Sequence, residues 1–523
     1  MPNNENVGST SAVYNDVTRD NIRPLYASIR SIISRAKFVA IDTEFTGLVL
    51  SNASRVFRLN TAEWVTRATD MKDKYRAMAN VAKTHALLSM GLSVYSRRHV
   101  TVPGSFNVNN FNFTLQAQNS HLINPTSMSF LARAGFDLTK QAARGIRYFS
   151  GPNPDPVVVK TEEINEEGKM IREIFLDLVR LRKPLVIHNG LFDLVYLYQS
   201  FFGPLPDTYE SFVYDLHEMF PGGIYDTKFI AESADPEAAS FLAYTYHKNE
   251  RVQKRRALTD EPALNIKLKN RLEYDDQNEP EPPASTAAPS ETGTRPYCVD
   301  FAARGHCRLG QKCPLSHDVN YILDCQERES NATSDPDSAS SMMGVELDPE
   351  GNKKRKRGNT DTNGDDGKAK RIAVENGAKA ASKPSGSTPT RVVDDVEDNG
   401  VASQKQIVSD GDDNNNNNDD STSATTPKTG FENMYHTAAY DAFMTGYVFA
   451  SYQLLLQGML DQYKNKVYLM GRSKPPLLVK ASMYATNSVT YRQTIDRVAE
   501  PNKENEDDGK APPSEIKSPE TAN

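Results

Sequence analysis

The feature that most limits what this chain can fold into is a break in its apolar patterning. Apolar residues recur with helix and strand periods over residues 16–270, give way to sequence rich in Pro, Glu, Ser, Asp and Asn, and resume only from Phe431 to about residue 496. Neither segment 277–296 (QNEPEPPASTAAPSETGTRP) nor tract 331–428, with its asparagine run at 414–418, carries enough apolar surface to offset the ordering of its backbone. One core therefore has to be assembled from two pieces far apart in sequence. A hydrophobic content of 38% and a mean hydropathy of −0.60 over 523 residues fit that partition. The expected organisation is a disordered N-terminus (1–12), a first globular part (13–275), a linker (276–293), a Cys/His module (294–320), a disordered linker (321–428), a second globular part (429–496) and a disordered tail (497–523).

Composition removes several function classes. The first 13 residues lack the basic and apolar regions of a signal peptide, and four cysteines in 523 residues are too few for a disulfide framework, so a reducing compartment is expected. The most apolar long window, residues 438–460, contains Asp441, Gln453 and Gln457, which favours a buried helix over a membrane span. In that setting the sequons at Asn52, Asn112 and Asn331 carry no weight. The net charge of −7 hides a segregation: basic residues gather at 247–271 and 353–371, acidic ones at 410–420 and 500–520. A local basic surface matters more to a polyanion than the sum, because charges are screened beyond about 8 Å at physiological salt. Solvated helix faces and linker charges are the competing explanation.

The first globular part alternates as an α/β fold does. Residues 22–36 predict an amphipathic helix, Phe38-Val-Ala-Ile-Asp42 a buried strand, and Leu92-Ser-Val-Tyr95 and Phe111-Asn-Phe-Thr-Leu115 further strands. Residues 162–181 predict a long helix. Leu185-Val-Ile-His188 reads as a strand feeding a helix over 191–201, and Tyr225-Asp-Thr-Lys228 as another strand-to-helix turn.

The chemistry begins at the end of the first of these strands. Asp42 and Glu44 stand at i and i+2, so both carboxylates project to one face with Cα atoms roughly 6 to 7 Å apart. That spacing suits two carboxylates sharing a metal pair, although a solvated strand end before the Thr46-Gly47 turn would read the same way alone. Asp193, in Ile187-His-Asn-Gly-Leu-Phe-Asp193-Leu-Val, and Asp441, in His436-Thr-Ala-Ala-Tyr-Asp441-Ala-Phe, both sit among apolar residues, where an isolated carboxylate is costly without a partner or a metal. His436 precedes Asp441 by five positions and so belongs to a loop or first turn, where an imidazole could act as general base.

Together, D-x-E at Asp42 and Glu44, H-N-x3-D at His188 to Asp193 and H-x4-D at His436 to Asp441 resemble the motifs of the DEDDh exonucleases. Asp42-Thr-Glu-Phe-Thr-Gly-Leu48, Ser129-Phe-Leu-Ala-Arg-Ala-Gly-Phe-Asp137 and Tyr225-Asp-Thr-Lys228 are similar to the poly(A)-specific ribonuclease family, most of all to its nuclear deadenylases whose nuclease is split by a CCCH finger. The resemblance covers roughly residues 13–325 and 430–490. It implies an RNase H-like nuclease domain built from both globular parts, with two Mg²⁺ ions. Asp42 would touch both ions, Glu44 and Asp441 the water-activating one and Asp193 the other, with His436 as general base. The implied reaction is 3′→5′ hydrolysis of RNA carrying a 3′ adenosine tail, releasing 5′-AMP. Asp226 matches no ligand position and is read as structural. Phe45 is a candidate to stack on the terminal base, and His188 and Asn189 to reach RNA. Ala439 stands where relatives often carry Gly.

Cys298, Cys307, Cys313 and His317 are spaced C-x8-C-x5-C-x3-H, three thiolates and one imidazole that fill a tetrahedral Zn²⁺ shell and leave no open position. The site is read as structural, a CCCH finger whose neighbours Tyr297, Phe301, Arg304, Arg308 and Lys312 suit single-stranded bases; a finger that only folds or binds protein is the alternative. Cys325 is left over. Lys353, Lys354, Arg355, Lys356 and Arg357, with Lys368-Ala-Lys-Arg371 behind them, read as a nuclear localisation signal for an import receptor. The family resemblance places such a chain in the nucleus, including nucleolus, speckles or Cajal bodies, acting on RNAs such as small nuclear RNAs. Two other classes stay open at this point: a catalytically inactive RNA-binding or transcription-associated adaptor, and an exonuclease acting on DNA or on RNA without preference for A.

Overall fold

The computed structural model describes residues 14–48, 70–151, 162–236, 238–269, 272, 296–334, 437–469 and 486–499. In chain order the elements before the break are β1 (Asn15–Val17), α1 (Ile22–Ser34), β2 (Phe38–Phe45), α2 (Met71–Thr84), β3 (Leu87–Arg97), β4 (Ser105–Ala117), α3 (Pro125–Arg133), α4 (Leu138–Arg144) and β5 (Ile146–Tyr148). They continue with α5 (Glu162–Leu181), β6 (Leu185–Ile187), α6 (Leu191–Leu197) running into a π turn (Tyr198–Phe202), α7 (Tyr209–Met219), β7 (Ile224–Asp226), α8 (Thr227–Ala234), α9 (Leu242–Leu258) and β8 (Asn265–Leu268). Then come α10 (Val299–Arg304), α11 (Val319–Ser334), α12 (Ala438–Leu455) and α13 (Val489–Ala499). One compact unit takes in residues 1–323 and 403–523, so both apolar pieces and the Cys/His module belong to it; of the other, 324–402, only the distal end of α11 is described.

The sheet runs β1-β4-β3-β2-β6-β7, with β5 and β8 also paired to β4. β2, β3 and β4 form an antiparallel meander, and β6 and β7 add to β2 in parallel, giving the mixed α/β sheet of an RNase H-like domain. The two-residue period of β2 sorts its side chains between two cores. Phe38 and Ala40 join the cluster containing Phe443, Val448 and Phe449 of α12, while Val39 and Ile41 join the one containing Ile29 of α1 and Leu194 of α6. Continued by two more residues, this alternation puts Asp42 and Glu44 on the α12 side and Thr43 on the α6 side.

α12 begins at Thr437, whose hydroxyl accepts a hydrogen bond from the Tyr440 amide and caps the helix. It lies close against the sheet because two positions have no side chain. A Cβ on Gly91 would come within 1.9 Å of the Ala438 carbonyl oxygen, and one on Gly446 within 2.2 Å of the Tyr95 ring. The Tyr95 hydroxyl donates to the Phe443 carbonyl at 2.9 Å. On its other side α9 packs against it: Asn249 and Gln253 share buried hydrogen bonds with Ser451, and the Tyr246 ring meets those of Phe443 and Tyr447. Cover on both sides accounts for the apolar window, and among the described residues no helix is long and apolar enough to cross a membrane. Extending a connection from about 10 to about 160 residues costs only about 2.5 kcal/mol. Burial of Phe443, Val448 and Phe449, at roughly 1.5 to 3 kcal/mol each, outweighs it.

One expectation is corrected. The chain is not disordered from residue 321, because α11 continues as helix to Ser334. The Cys/His module also packs against the first globular part. Ala302, Ile322 and Leu323 are buried together with Tyr244 of α9, and Phe241 meets the Phe301 ring at 5.8 Å. The insertion thus contributes a small apolar cluster of its own, which a purely compositional reading of 277–428 does not reveal. α13 carries helix to Ala499, three residues into the expected tail; the remaining linker and tail segments lie outside the described residues.

Candidate active site

β2 delivers Asp42 and Glu44 to one face, and the first turn of α12 delivers Asp441 to the same place. One carboxylate oxygen of each lies within 4.8 Å of the others, and all three side chains are half-buried. Burial, and then the neighbouring carboxylates of Asp441 and Asp193, hold both Asp42 and Glu44 well above the usual range, with Glu44 adding to the effect on Asp42. Burial pushes Asp441 up to about 7. None of these shifts includes an attractive contribution from a Lys or Arg. An acidic cluster that meets no cation among the described residues, made of hard oxygen donors, fits a hard divalent ion, whose charge would relieve the repulsion.

Asp193 stands apart from this trio. It comes from the first turn of α6, beside the end of β2, and its Oδ1 accepts a hydrogen bond from the Thr43 hydroxyl at 2.6 Å. Burial raises it to about 6, with the Thr43 hydroxyl opposing. Its charge still reaches around the strand end to raise Asp42 and Glu44. Thr43 was not among the candidates read from sequence, yet the signal was there: a residue between two same-face acids must face the opposite layer, where Asp193 sits. Gly91, the register partner of Asp42, was also missed, since nothing local marks it as the seat of a helix nearly 350 residues later.

The other candidates take different positions. Phe45 stacks on Tyr196 with centroids 4.4 Å apart, just past a register shift in β2, and the Tyr196 hydroxyl donates to the Gly47 carbonyl. His188 shares a 2.9 Å hydrogen bond with the Thr227 hydroxyl, and burial lowers it to about 3, so its ring is neutral and engaged inward. Asn189 is exposed, in the left-handed region at φ 55°, and its amide donates to Asp226. Asp226 accepts further from the amides of Lys228 and Tyr468, which ties the turn of the second motif to the chain after α12. His436 and the basic run Lys353, Lys354, Arg355, Lys356 and Arg357 lie outside the described residues.

At the second cluster, one ligand atom from each of Cys298, Cys307, Cys313 and His317 lies within 4.8 Å of the others. The cysteines are unbridged, and the Nε2 of His317 is buried without a hydrogen-bond partner. An imidazole with an orphaned nitrogen, grouped with three thiols, fits a four-coordinate metal with soft donors. The His317 ring stacks on Phe301 at 4.4 Å, which joins this cluster to the apolar contact with α9. Cys325 is not part of the group.

The chain is similar to several known proteins. The chain is similar to mouse "Poly(A)-specific ribonuclease PNLDC1", 37% identical over 81 residues, 16% of this chain and 15% of that protein. It is similar also to the Bombyx mori "Pre-piRNA 3'-exonuclease trimmer", 40% identical over 63 residues, 11% of this chain and 12% of that one. The Arabidopsis thaliana "Probable CCR4-associated factor 1 homolog 5" is 27% identical over 224 residues, 41% of this chain and 65% of its own length. The chain spans between 15% and 31% of the length of the PNLDC1 proteins it matches. The solved "Structure of S. pombe Pop2p - Mg2+ and Mn2+ bound form" aligns with 42% of this chain and 75% of its own, at 21% identity and a TM-score of 0.28. The model of the CAF1 family ribonucleases matches residues 17–169 and 157–449, from β1 into the helix that carries Asp441, and the chain belongs to that family.

Proposed function

We propose that this chain is a metal-dependent 3′→5′ exoribonuclease that shortens 3′ oligo(A) or poly(A) tails. The observation that carries the reading is the meeting of Asp42, Glu44 and Asp441 within 4.8 Å, from a strand and a helix that the long insertion separates. Asp42, Glu44 and Asp441 would hold two Mg²⁺ ions together with Asp193. When bound, such ions neutralise phosphate charge and lower the pKa of the attacking water. The residues do the rest. Thr43 fixes the direction of the Asp193 carboxylate, and Gly91 seats α12 so that Asp441 reaches Asp42. The positive end of the α12 dipole lies beside the same carboxylates and favours an anion there. Phe45, backed by Tyr196, would stack the terminal base, and His436 would accept the proton of the attacking water. The names of the PNLDC1 and trimmer relatives support the direction of attack and the preference for adenosine.

The Cys/His cluster would hold one structural Zn²⁺. The run from Lys353 to Arg357 would engage a nuclear import receptor, with nuclear RNAs such as small nuclear RNAs as substrates. Incubating the protein with 5′-labelled RNA ending in A, U or C tests the reading. A-ended RNA should shorten from its 3′ end fastest, release 5′-AMP, and stop in EDTA. Equal rates on all three ends would remove the adenosine preference, and shortening in EDTA would remove the metal mechanism.

A further inference from the structure

The basic stretch at residues 247–271 is only partly used by the packing of α9. Its last part forms β8, which adds to β4 in parallel with Lys267 opposite Asn107; the Lys269 amide then donates to the Val108 carbonyl. Here, between the C-terminal end of α1 and the end of β3, lies an open groove of about 770 Å³ lined by Arg35, Arg97, Lys267 and Lys269 with Asn107 and Asn109. Among the described residues no Asp or Glu lines it. The four cations are exposed, and among the described residues none of them is in an ion pair. In a chain of net charge −7, four unneutralised cations around one groove concentrate positive potential there.

The groove is not the carboxylate site. Asp42 pairs with Gly91, and Arg97 lies six residues further along β3, so at about 3.3 Å per residue the two places are roughly 20 Å apart. We propose that this groove is a second RNA site, which takes the phosphodiester backbone of the RNA body while the 3′ end occupies the carboxylates. The proposal rests on the ribonuclease reading for the identity of its ligand. Guanidinium and ammonium groups match phosphate charge, and the amides of Asn107 and Asn109 donate to phosphate oxygens. Among the described residues no aromatic side chain lines the groove to offer bases a stacking platform, so the recognition we propose is of backbone, not sequence. An RNA long enough to reach both places gains affinity by effective concentration, whereas a short oligonucleotide at the carboxylates gains nothing.

The test measures binding of a 30-nucleotide A-tailed RNA in EDTA, where nothing is cleaved, by fluorescence anisotropy across a KCl titration. Lys267→Gln/Lys269→Gln should raise Kd about tenfold near 0.1 M salt and flatten the slope of log K against log salt by about 1.4, two single-strand phosphate contacts. The same variant should hydrolyse A3 in Mg²⁺ with wild-type kcat, and Lys267→Arg/Lys269→Arg should bind the long RNA as wild type does. An unchanged Kd and slope would overturn the proposal, including in favour of an acidic protein as occupant. A kcat on A3 that falls in step with long-RNA affinity would overturn it too, by making the groove part of the carboxylate site. Failure of the ribonuclease reading would appear separately, as wild-type protein that binds the long RNA but does not shorten it in Mg²⁺.

Discussion

The acidic site and the Cys/His cluster use opposite strategies to bring ligand atoms together. Cys298, Cys307, Cys313 and His317 fall within 20 residues, and a short helix and a 3-10 turn bring them together. Asp42, Glu44 and Asp441 come from a strand and a helix nearly 400 residues apart, and nothing gathers them until the sheet exists and α12 has seated on it. The local site is closed and made of soft donors. The long-range one is half-open, made of hard donors, and held in mutual repulsion among the acids. Proximity that a chain achieves locally can be spent on stability, whereas proximity imposed by a whole core can hold unfavourable charge in place for chemistry.

The sharpest way to break this contrast is to remove one carboxylate. Asp441→Asn should lower kcat on A-tailed RNA by about 10³-fold or more in Mg²⁺, since a ligand that acts at the reacting phosphate is worth several kcal/mol. In EDTA its melting temperature should match or exceed that of wild type, because like-charge repulsion has been relieved. A lowered melting temperature with kcat reduced only a few-fold would make Asp441 a structural acid.

Next in size is a change that touches no acid. Gly91→Ala places a methyl group against the Ala438 carbonyl, where the free space allows 1.9 Å, so the start of α12 must shift. A displacement of about 1 Å at a catalytic group costs on the order of 10²-fold. Activity should fall by that much while the far-UV spectrum is retained, and wild-type turnover would show that the seating of α12 does not control the site.

The pH dependence of stability follows from the raised acids. Asp193 and Asp441 ionise near 6 and 7 in the native chain and near 3.8 when unfolded, so between these values the folded state holds more protons. Stability of the metal-free protein is then greatest below about pH 4 as far as these groups decide it, and falls as pH rises through 6 and 7. Thermal melts in EDTA should show a drop of roughly 5 °C from pH 5 to pH 8, smaller in Asp441→Asn and reversed by Mg²⁺. A flat profile would mean that the cluster is neutralised by groups of the chain itself.

Cys307→Ser should separate the two sites. Zinc content should drop, and the contact of Phe301 and Ala302 with α9 should loosen, but kcat on short oligo(A) should fall less than about tenfold because the carboxylates are held by β2 and α12. Equal loss on short and long RNA would join the cluster to the active site. The smallest expected effect is that of Thr43→Val. Losing a hydroxyl that lowers the Asp193 pKa should move the acidic limb of the Mg²⁺-activated pH profile upward by less than about one unit, with kcat at pH 8 nearly unchanged.

These regions also differ in how readily they were read from sequence. Asp42 and Glu44 were readable because strand alternation is a local rule, and the cysteine cluster because ligand spacing is. Asp441 was readable as an acid stranded among apolar residues, but Gly91, which receives its helix, was not, since close approach between distant segments leaves no periodic trace. Thr43 became intelligible only with the two faces of β2 assigned. The contact of Ile322 and Leu323 with Tyr244 was missed because three or four apolar residues in a polar tract fall below any compositional threshold.

Central to the account is that a site begun at β2 is completed by α12 across the insertion. The direct measurement uses two separately expressed pieces, residues 1–334 and 430–523, assayed alone and mixed on 5′-labelled A-tailed RNA in Mg²⁺. Neither piece alone should shorten the RNA, and the mixture should regain activity that Asp441→Asn in the second piece abolishes. Full activity from the first piece alone would contradict the account.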